Sequence, residues 1–300
     1  MKILLFGGSG QVGWELQRSL SLLGEVTVAG VDGGQTLAAD FSRPETLAAV
    51  VGQVKPAVIV NAAAHTAVDR CESEPELARA INAAAPAVLA RAAKEAGAWL
   101  VHYSTDYVFD GSGDVPWREG DTTGPLSVYG ATKLEGEQAI RASGCGHFIV
   151  RTSWVHSARG GNFARTMLRL AAEREALSVI DDQFGAQTSA ELLADATAHM
   201  LRRIGPAPEL AGTYHVVAGG VCSWHEYACY VIDFARAHGR ELKVAPGAIA
   251  AVATSHYPTP ARRPANSRLD TSKWRAAFDL RLPEWQTGVA RTLTEILEQH

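Results

Sequence analysis

The chain has 300 residues, of which 47% are hydrophobic, and its formal net charge is −4 at pH 7. These values suit a globular protein with one large domain or two unequal ones. Lysine and arginine are scattered along the chain, so we expect no nucleic-acid partner.

The N-terminal region and the cysteines favour a cytoplasmic protein. The first apolar run covers only residues 3–6, which is too short for a signal peptide, and no later run is long enough to span a membrane. We therefore expect no membrane association. The four cysteines have no CxxC spacing, so we expect reduced, mostly buried thiols and no zinc site; they are Cys71, Cys145, Cys222 and Cys229.

A glycine-rich turn follows the first apolar run. Gly7, Gly10 and Gly13 fit GxxGxxG, and the alternative GxGxxG spacing begins at Gly8. A strand, a glycine turn and a helix in this order let the backbone approach a pyrophosphate at the helix N terminus. We predict a dinucleotide site that also includes Gln11 and Val12 in the turn.

Acidic residues further along the chain bear on the choice of cofactor. Asp32 follows the second apolar run at the distance where an acid meets the adenosine ribose, although it could equally be part of a turn. No lysine or arginine lies near it to receive a 2′-phosphate, which favours NADH. Asp40 and Phe41 are predicted to border the adenine.

Strands alternate with helices through the first half of the chain, which predicts an α/β fold with a doubly wound parallel sheet. Ala62, Ala63 and Ala64 follow one strand, and their small side chains would let a cofactor pass over the strand end. Helices are predicted over 44–54, 76–96 with a possible kink at Pro86, 160–174, 190–203, 225–238, 272–278 and 284–298. Strands are predicted over 2–6, 25–31, 57–60, 99–104, 147–152 and 213–217.

Three polar residues lie at the carboxyl end of the strand predicted at 99–104. Open α/β sheets bind ligands at the carboxyl ends of their strands, so Ser104, Thr105 and Asp106 are predicted to face a substrate. A hydroxyl there could bond a carbonyl oxygen and stabilise its developing charge, although Ser104 and Thr105 could instead cap the strand.

Tyr129 and Lys133 lie four residues apart in a segment of good helix formers, YGATKLEGEQAIR. An ammonium about 5 Å from a phenol, at an effective dielectric constant near 20, would favour the phenolate by roughly 3 kcal/mol. That is about two pKa units below the usual value near 10, so we expect Tyr129 to exchange protons near neutral pH. A coincidental surface pair is the alternative.

The pattern is less regular after residue 153, as expected of a lid over a sheet. We predict a dinucleotide-binding domain at 1–152 plus about 178–205, and a smaller mixed α/β substrate-binding domain at about 153–177 and 206–300.

Several long segments resemble one family when taken together. The glycine turn and the YxxxK pair resemble extended short-chain dehydrogenase/reductases, which have a Rossmann fold and act on nucleotide sugars. GGSGQVGWELQRSL, VNAAAHTAVD, HYSTDYVF, RTSWV and RPANSRLD resemble the dTDP-4-dehydrorhamnose reductase family within them. This resemblance spans nearly the whole chain.

The resemblance implies reduction of the 4-keto group of dTDP-4-dehydro-L-rhamnose to dTDP-L-rhamnose with NADPH or NADH. It implies that Tyr129 is the proton donor, that Lys133 lowers its pKa and holds the nicotinamide ribose, and that Thr105 bonds the C4 oxygen. Trp154 would contact the sugar with Asp106 beside it. Arg263 or Arg268 would meet the diphosphate.

The resemblance also implies a homodimer with Mg²⁺ held by carboxylates at the contact between subunits. The candidate ligands are Glu15, Glu191 and Glu295, although they could be ordinary solvated helix residues. Gly8 stands where some relatives carry a lysine that helps to bind a 2′-phosphate, which weakens the expectation of NADPH.

Two other functions are considered. A dehydratase or epimerase of the same superfamily would need an acid where this chain has Tyr107, since dehydratases of this type resemble Thr-Asp-Glu after the strand. A non-catalytic regulatory homologue would be favoured by loss of Tyr129 or Lys133, and both are present. The reductase is therefore the favoured function.

Overall fold

A parallel sheet forms the centre of the protein. The computed structural model describes residues 1–31, 37–205 and 207–298. Its strands are β1 (Lys2–Phe6), β2 (Glu25–Gly30), β3 (Leu37–Ala38), β4 (Val58–Asn61), β5 (Trp99–Thr105), β6 (His147–Thr152), β7 (Val155–His156), β8 (Leu177–Ile180), β9 (Phe184–Gly185), β10 (Thr188–Ser189), β11 (Gly212–His215), β12 (Cys222–Ser223) and β13 (Ile249–Val252).

Seven of these strands pair in the order β11-β6-β5-β4-β1-β2-β3, and every pairing in this sheet is parallel. The chain moves outward from β1 in one direction through β2 and β3, and then in the other direction from β4. This reversal makes the carboxyl ends of β1 and β4 the switch point where such sheets bind ligands. The predicted doubly wound sheet is confirmed.

Helices cover both faces of the sheet. They are α1 (Gln11–Ser21), α2 (Leu47–Val54), α3 (Val68–Ser73), α4 (Pro75–Arg79), α5 (Ala85–Ala96), α6 (Val128–Ser143), α7 (Phe163–Glu173), α8 (Ala190–Leu201), α9 (Trp224–Ala237), α10 (Ser272–Phe278) and α11 (Trp285–Glu298). None of the helices in the described ranges combines the length and apolar character needed to cross a membrane.

Alternate residues of β1 belong to different hydrophobic cores. Leu4 and Phe6 pack in one core with residues of α2, α5 and α6, while Ile3 and Leu5 pack in another with residues of α1, α8 and α10. All four side chains are fully buried, and each such burial contributes roughly 1.5–3 kcal/mol. An almost unbroken apolar strand is what a parallel sheet covered on both faces requires.

A third core lies in the second half of the chain, where α7, α9 and α11 pack together through Ala164, Met167, Tyr227, Val231 and Val289, among others. It lies apart from the two cores that flank the central sheet. The protein therefore has a smaller body with a core of its own.

Strand pairing changes the predicted domain boundaries in two places. β8, placed in the dinucleotide-binding domain by the sequence, pairs with β13, and β9 pairs with β12. Conversely, β11 pairs with β6 at the edge of the central sheet, although the sequence placed it in the substrate domain. Residues 177–185 therefore pair with strands of the predicted substrate-binding domain, and β11 pairs with a strand of the predicted dinucleotide-binding domain.

The predicted helix at 76–96 is interrupted before Pro86. A π-helical segment covers Ala80–Ala84 between α4 and α5. Proline has no N–H to donate to the carbonyl four residues earlier, which is that of Asn82. This carbonyl instead packs against α6, where a side chain on Gly136 would lie 2.3 Å from its oxygen. The interruption thus lets two helices approach closely beneath the site.

The six predicted strands are confirmed within two residues, and the helix at 272–278 is confirmed at both ends. The short strands β7, β9, β10 and β12 have two residues each. Periodicity cannot reveal segments of that length.

Candidate active site

The glycine turn joins β1 to α1 and packs backbone against backbone. The Gly10 amide donates to the Gly7 carbonyl at 3.0 Å. A side chain on Gly13 would lie 1.9 Å from that carbonyl oxygen, and one on Gly7 would lie 2.6 Å from the nitrogen of Ala63. Gly7 also has φ 79°, which favours glycine. The turn therefore brings its backbone and the N terminus of α1 to the strand ends, as an anion site requires.

A cavity of about 470 Å³ lies beside this turn at the carboxyl ends of β4 and β5. We call it the inner cavity. Its lining includes the predicted cofactor residues Gly10, Gln11, Val12, Ala62 and Ala64 together with Thr105, Asp106, Tyr129, Lys133 and Trp154. Residues predicted for two different roles therefore share one cavity.

The predicted adenine neighbours have other partners. The Phe41 ring is buried and packs edge-on against Phe6, with ring centroids 5.4 Å apart. The Asp40 carboxylate accepts hydrogen bonds from the hydroxyl and amide of Ser42, at 2.6 and 2.9 Å, and these bonds lower its pKa. The structure thus gives Asp40 a turn-stabilising role and Phe41 a core role. Asp32 lies outside the described residues.

Tyr129 and Lys133 both belong to α6, as predicted. The Ser127 hydroxyl caps this helix by accepting the Gly130 amide hydrogen at 3.2 Å. The ammonium nitrogen of Lys133 is 2.6 Å from the Tyr103 carbonyl oxygen and 3.2 Å from Nε2 of His102. Lys133 is thus held by β5.

The pKa of Tyr129 departs from its usual value in the opposite direction to that expected. Burial raises it, the charge of Asp106 adds to the rise, and a hydrogen bond with Thr105 opposes it. Lys133 is not among the causes of this shift; burial lowers its own pKa to about 8, and its nitrogen bonds to β5. The expectation of a lowered pKa for Tyr129 is therefore contradicted, since a buried phenol is poorly solvated as an anion.

Thr105 and Asp106 meet at the end of β5. The Thr105 hydroxyl donates to Asp106 at 3.1 Å and accepts the amide hydrogen of Tyr107 at 3.1 Å. Burial raises the pKa of Asp106 to about 7, although hydrogen bonds from Ser267 and Thr105 oppose the rise. One carboxylate oxygen of Asp106 is buried without a protein partner. Such an oxygen inside a cavity is suited to meet a ligand hydroxyl.

The predicted substrate residue Ser104 has a different neighbour. The Ser104 hydroxyl oxygen is buried without a hydrogen-bond partner among the described residues, although its proximity helps to lower the pKa of the Glu137 carboxyl. That carboxylate also forms an ion pair with Arg151 at 2.7 Å. Ser104 nevertheless lines the inner cavity beside Thr105, so its contact with a substrate stays a prediction.

An outer cavity of about 390 Å³ adjoins the inner one, since Tyr107 and Trp224 line both. Its walls are largely aromatic and aliphatic, with two cations: the lining includes Phe163, Met167, Leu170, Tyr257, Arg174 and Arg263. Arg263 pairs with Asp69 at 2.8 Å. Arg268 lies elsewhere, over the ring of Phe184 and hydrogen-bonded to Asn266. Of the two arginines predicted at the diphosphate, only Arg263 reaches this cleft.

The three glutamates predicted as magnesium ligands are paired with arginines. Arg291 lies 2.8 Å from Glu191 and 3.5 Å from Glu295, and Arg18 lies 3.7 Å from Glu15. Burial and then the charges of Glu15 and Glu295 raise the pKa of Glu191, while Arg291 lowers it. Among the residues with described positions, no group of three or more His, Cys, Asp or Glu side chains could hold a metal ion. Within one chain these glutamates are therefore paired with arginines and do not form a metal site by themselves.

Two residues of the site were missed from the sequence, His102 and Trp224. His102 is a polar residue inside the apolar strand β5, which is the signal that could have identified it. Trp224 opens α9, far along the chain from Trp154, and only packing brings their rings together. No sequence spacing predicts that contact.

The glycine turn at the sheet switch point and the Tyr129–Lys133 helix line one cavity. Fold and site together define an extended short-chain dehydrogenase/reductase.

Comparisons with known proteins narrow this class. The family model described as the RmlD substrate binding domain matches residues 1–298. The chain is 57% identical over 296 residues to the dTDP-4-dehydrorhamnose reductase of Salmonella typhimurium, covering 99% of this chain and 98% of that protein. The chain belongs to the dTDP-4-dehydrorhamnose reductase family.

Solved structures of dTDP-4-dehydrorhamnose reductases have the same fold as this chain. The dTDP-4-dehydrorhamnose reductase of Clostridium acetobutylicum superposes with a TM-score of 0.86 at 34% identity and 100% coverage of both chains. That of Bacillus anthracis, solved in complex with NADP, gives a TM-score of 0.86 at 33% identity, covering 98% of this chain and 99% of that one.

Proposed function

We propose that this protein reduces the 4-keto group of dTDP-4-dehydro-β-L-rhamnose to give dTDP-β-L-rhamnose, the last step of dTDP-L-rhamnose biosynthesis. The observation that carries the proposal is the 57% identity to a reductase of that name over almost the full length of both chains. The site supports it, because Tyr129, Lys133 and Thr105 lie together at the inner cavity.

The proton in this reaction comes from Tyr129. Burial raises the pKa of its phenol, so the group is protonated at neutral pH and ready to donate to the oxygen that forms at C4. The Thr105 hydroxyl beside it can hydrogen-bond that oxygen and stabilise its charge. The two groups act on the same atom, one by proton transfer and one by orientation.

The glycine turn fits a nicotinamide dinucleotide. Side chains at Gly7 and Gly13 would collide with the backbone, so the turn is built to let its backbone approach a pyrophosphate. The bound cofactor, NADPH or NADH, supplies the hydride to C4. Lys133 lines the same cavity as Gln11 and Val12, which supports a role for Lys133 in holding the nicotinamide ribose.

The nucleotide sugar would extend from the inner to the outer cavity. Trp154 and Asp106 line the inner cavity and would contact the sugar. Aromatic and aliphatic walls with Arg263 at the edge suit a thymine ring and a diphosphate, since stacking and charge-assisted hydrogen bonds recognise these groups. The smaller body thus supplies much of the specificity.

Three further predictions from the sequence remain predictions: a cytoplasmic location, a homodimer and a role for Mg²⁺. No catalytic step proposed here depends on the metal. Activity with and without a chelator, and the mass of the protein in solution, would test the second and third.

The decisive experiment mixes the purified protein with enzymatically prepared dTDP-4-dehydrorhamnose and either NADH or NADPH. We expect loss of reduced-nicotinamide absorbance with one equivalent of dTDP-rhamnose formed, identified by mass, and the ratio of the two rates gives the cofactor preference. A protein that binds the cofactor but leaves this substrate unchanged would overturn the proposed reaction.

A further inference from the structure

Three buried polar side chains form a chain behind the inner cavity. The Asn61 amide nitrogen lies 3.0 Å from Nδ1 of His102, and Nε2 of the same ring lies 3.2 Å from Nζ of Lys133. Asn61 and His102 are each 1% exposed and Lys133 is 2% exposed. No role in the reaction has been assigned so far to Asn61 or His102.

The orientation of the Asn61 amide is fixed by a second contact. Its side-chain oxygen accepts the backbone amide hydrogen of Ala63 at 3.1 Å. Rotating the amide by half a turn would place its NH₂ group against that N–H, so two donors would face each other. The NH₂ group of Asn61 therefore points to His102, and Nδ1 of His102 must accept its hydrogen.

The tautomer of His102 follows. Burial and then the charge of Lys133 lower the pKa of His102 well below its usual value, so the ring is neutral and carries one proton. Since Nδ1 is an acceptor, that proton sits on Nε2. The Nε2–H group is the one that faces Lys133.

This N–H needs an acceptor, and an ammonium has none. A lysine ammonium carries three donors and no lone pair, whereas the neutral amine has one lone pair. Lys133 uses one hydrogen for the Tyr103 carbonyl at 2.6 Å, and its amine form could accept the His102 hydrogen at the same time. The arrangement favours the amine form.

We propose that Asn61 and His102 are positioning residues that control the proton of Lys133: Asn61 fixes the Nε2–H tautomer of His102, and that group weakens the hold of Lys133 on its third proton. Lys133 is then not a permanent ammonium, because it gains and loses a proton within the pH range in which the enzyme works. The consequence for turnover rests on the proposed reduction; the proton arrangement itself does not.

Other charges near Lys133 are already engaged. Glu137 on α6 favours the ammonium, but its carboxylate is paired with Arg151 at 2.7 Å and with Arg141 at 3.0 Å. Tyr129 and Asp106 line the same cavity, and burial raises the pKa of each, which favours their neutral forms. His102 is the one titratable side chain among the described contacts that hydrogen-bonds the lysine nitrogen.

In the proposed reduction, the ammonium form of Lys133 would stabilise the phenolate that remains after Tyr129 gives its proton to the substrate oxygen. Turnover should therefore fall as the pH rises through the titration of Lys133. If His102 sets that titration, substitutions of Asn61 or His102 should shift the alkaline limit of kcat without changing KM.

The first test needs no mutation and no substrate. Nitrogen NMR of ¹⁵N-labelled protein, with the His102 signals assigned by their loss in His102→Gln, reports which ring nitrogen carries the proton. We expect a protonated Nε2 and a bare Nδ1. A protonated Nδ1 would overturn the proposal, whatever the activity of the enzyme.

A matched substitution tests the link to Lys133. In Asn61→Asp, one carboxylate oxygen still accepts the Ala63 amide while the other accepts from Nδ1–H, so the tautomer switches and Nε2 becomes an acceptor for the ammonium. We expect the proton affinity of Lys133, followed by NMR titration, to rise about tenfold or more. An unchanged titration with a switched tautomer would overturn the proposal.

The added charge of Asn61→Asp requires its own control. In the His102→Met background the tautomer route is absent, so Asn61→Asp should then move the Lys133 titration much less. An equal rise in both backgrounds would show a direct effect of charge and reject the role of His102. Should Asn61→Asp fail to fold, His102→Gln turns an amide oxygen toward Nζ at no change of charge and carries the same expectation.

Discussion

The indole of Trp154 stacks on the indole of Trp224, with ring centroids 3.9 Å apart and planes 21° from parallel. Trp154 has φ 48°, a left-handed conformation that is uncommon for a bulky residue and that often marks a functional site. Trp224 opens α9 of the smaller body and lines both cavities. The stack therefore joins the sheet and the smaller body at the boundary between the two cavities.

Loss of this stack should weaken substrate binding. We expect Trp224→Ala to raise KM for the nucleotide sugar about tenfold, since a stacked aromatic contact at a binding site contributes on the order of 1–2 kcal/mol. Cofactor affinity, measured by fluorescence titration, should stay near the wild-type value. Trp224→Phe keeps an aromatic face and should recover much of the loss; equal defects in both variants would contradict a stacking role.

Two glycines of the turn should respond differently to alanine. A side chain on Gly13 would lie 1.9 Å from a carbonyl oxygen, whereas one on Gly10 would lie 3.4 Å from the same atom. We expect Gly13→Ala to lower the free energy of unfolding by about 3 kcal/mol or more. Gly10→Ala should fold with near wild-type stability and lose cofactor affinity instead. Thermal unfolding and cofactor titration distinguish the two, and equal stabilities would show that the turn can relax.

Removing the phenol hydroxyl tests the proton donor. We expect Tyr129→Phe to lower kcat by about 10²–10⁴-fold while cofactor affinity is retained. Tyr107 packs edge-on against Tyr129, with ring centroids 5.6 Å apart, and Tyr107→Phe is the matched control, which should retain most of its turnover. Near wild-type turnover of Tyr129→Phe in the keto-sugar assay would rule out the assigned role.

The buried carboxylate of Asp106 should make stability depend on pH. Its pKa is raised to about 7 in the folded protein, against about 3.9 in an unfolded chain. The folded state binds more protons between these values, so the stability falls as the pH rises through that window. Asp106→Asn should match the wild type near pH 4 and exceed it at pH 8 by up to a few kcal/mol.

Denaturant unfolding at the two pH values measures this difference. The control is Asp110→Asn, because Asp110 is exposed and hydrogen bonds from Ser112 lower its pKa. It should show no gain at pH 8. A gain of Asp106→Asn that is the same at both pH values would point to packing rather than ionisation.

The buried pair of Glu137 and Arg151 should behave as a unit. Burial acts to raise the pKa of Glu137, but the hydrogen bonds and charge of Arg151 overcome it and hold the pKa below the usual value. The pair therefore stabilises the fold above about pH 4.3, and this contribution disappears as the pH falls further.

Breaking the pair should be worse than removing both charges. Arg151→Met leaves the buried carboxylate with Arg141 as its remaining ion-pair partner and should lose about 3–5 kcal/mol. Adding Glu137→Gln should restore part of that loss, as measured by urea unfolding at pH 7. A double variant as unstable as the sum of its parts would show that the charges do not act together.

Much of the fold could be predicted because local patterns report it. The apolar runs at 2–6 and 147–152 and the helix around Tyr129 depend on residues close in sequence, and the structure confirms them. The short strands β7, β9, β10 and β12 and the pairing of β8 with β13 could not be predicted, since they depend on contacts between segments more than 30 residues apart. No periodicity records such contacts.

The sequence by itself determined the family, the glycine turn and the placement of Tyr129 and Lys133 on one helix, because these depend on residue types at fixed short spacings. Only the tertiary structure decided how those groups ionise. Burial raised the pKa of Tyr129 and of Asp106, since the solvation of a charge depends on everything packed around it. The fold also placed the Lys133 nitrogen against His102. Packing also separated Arg263 from Arg268 and paired Trp154 with Trp224, for the same reason: distance in space is set by the whole fold.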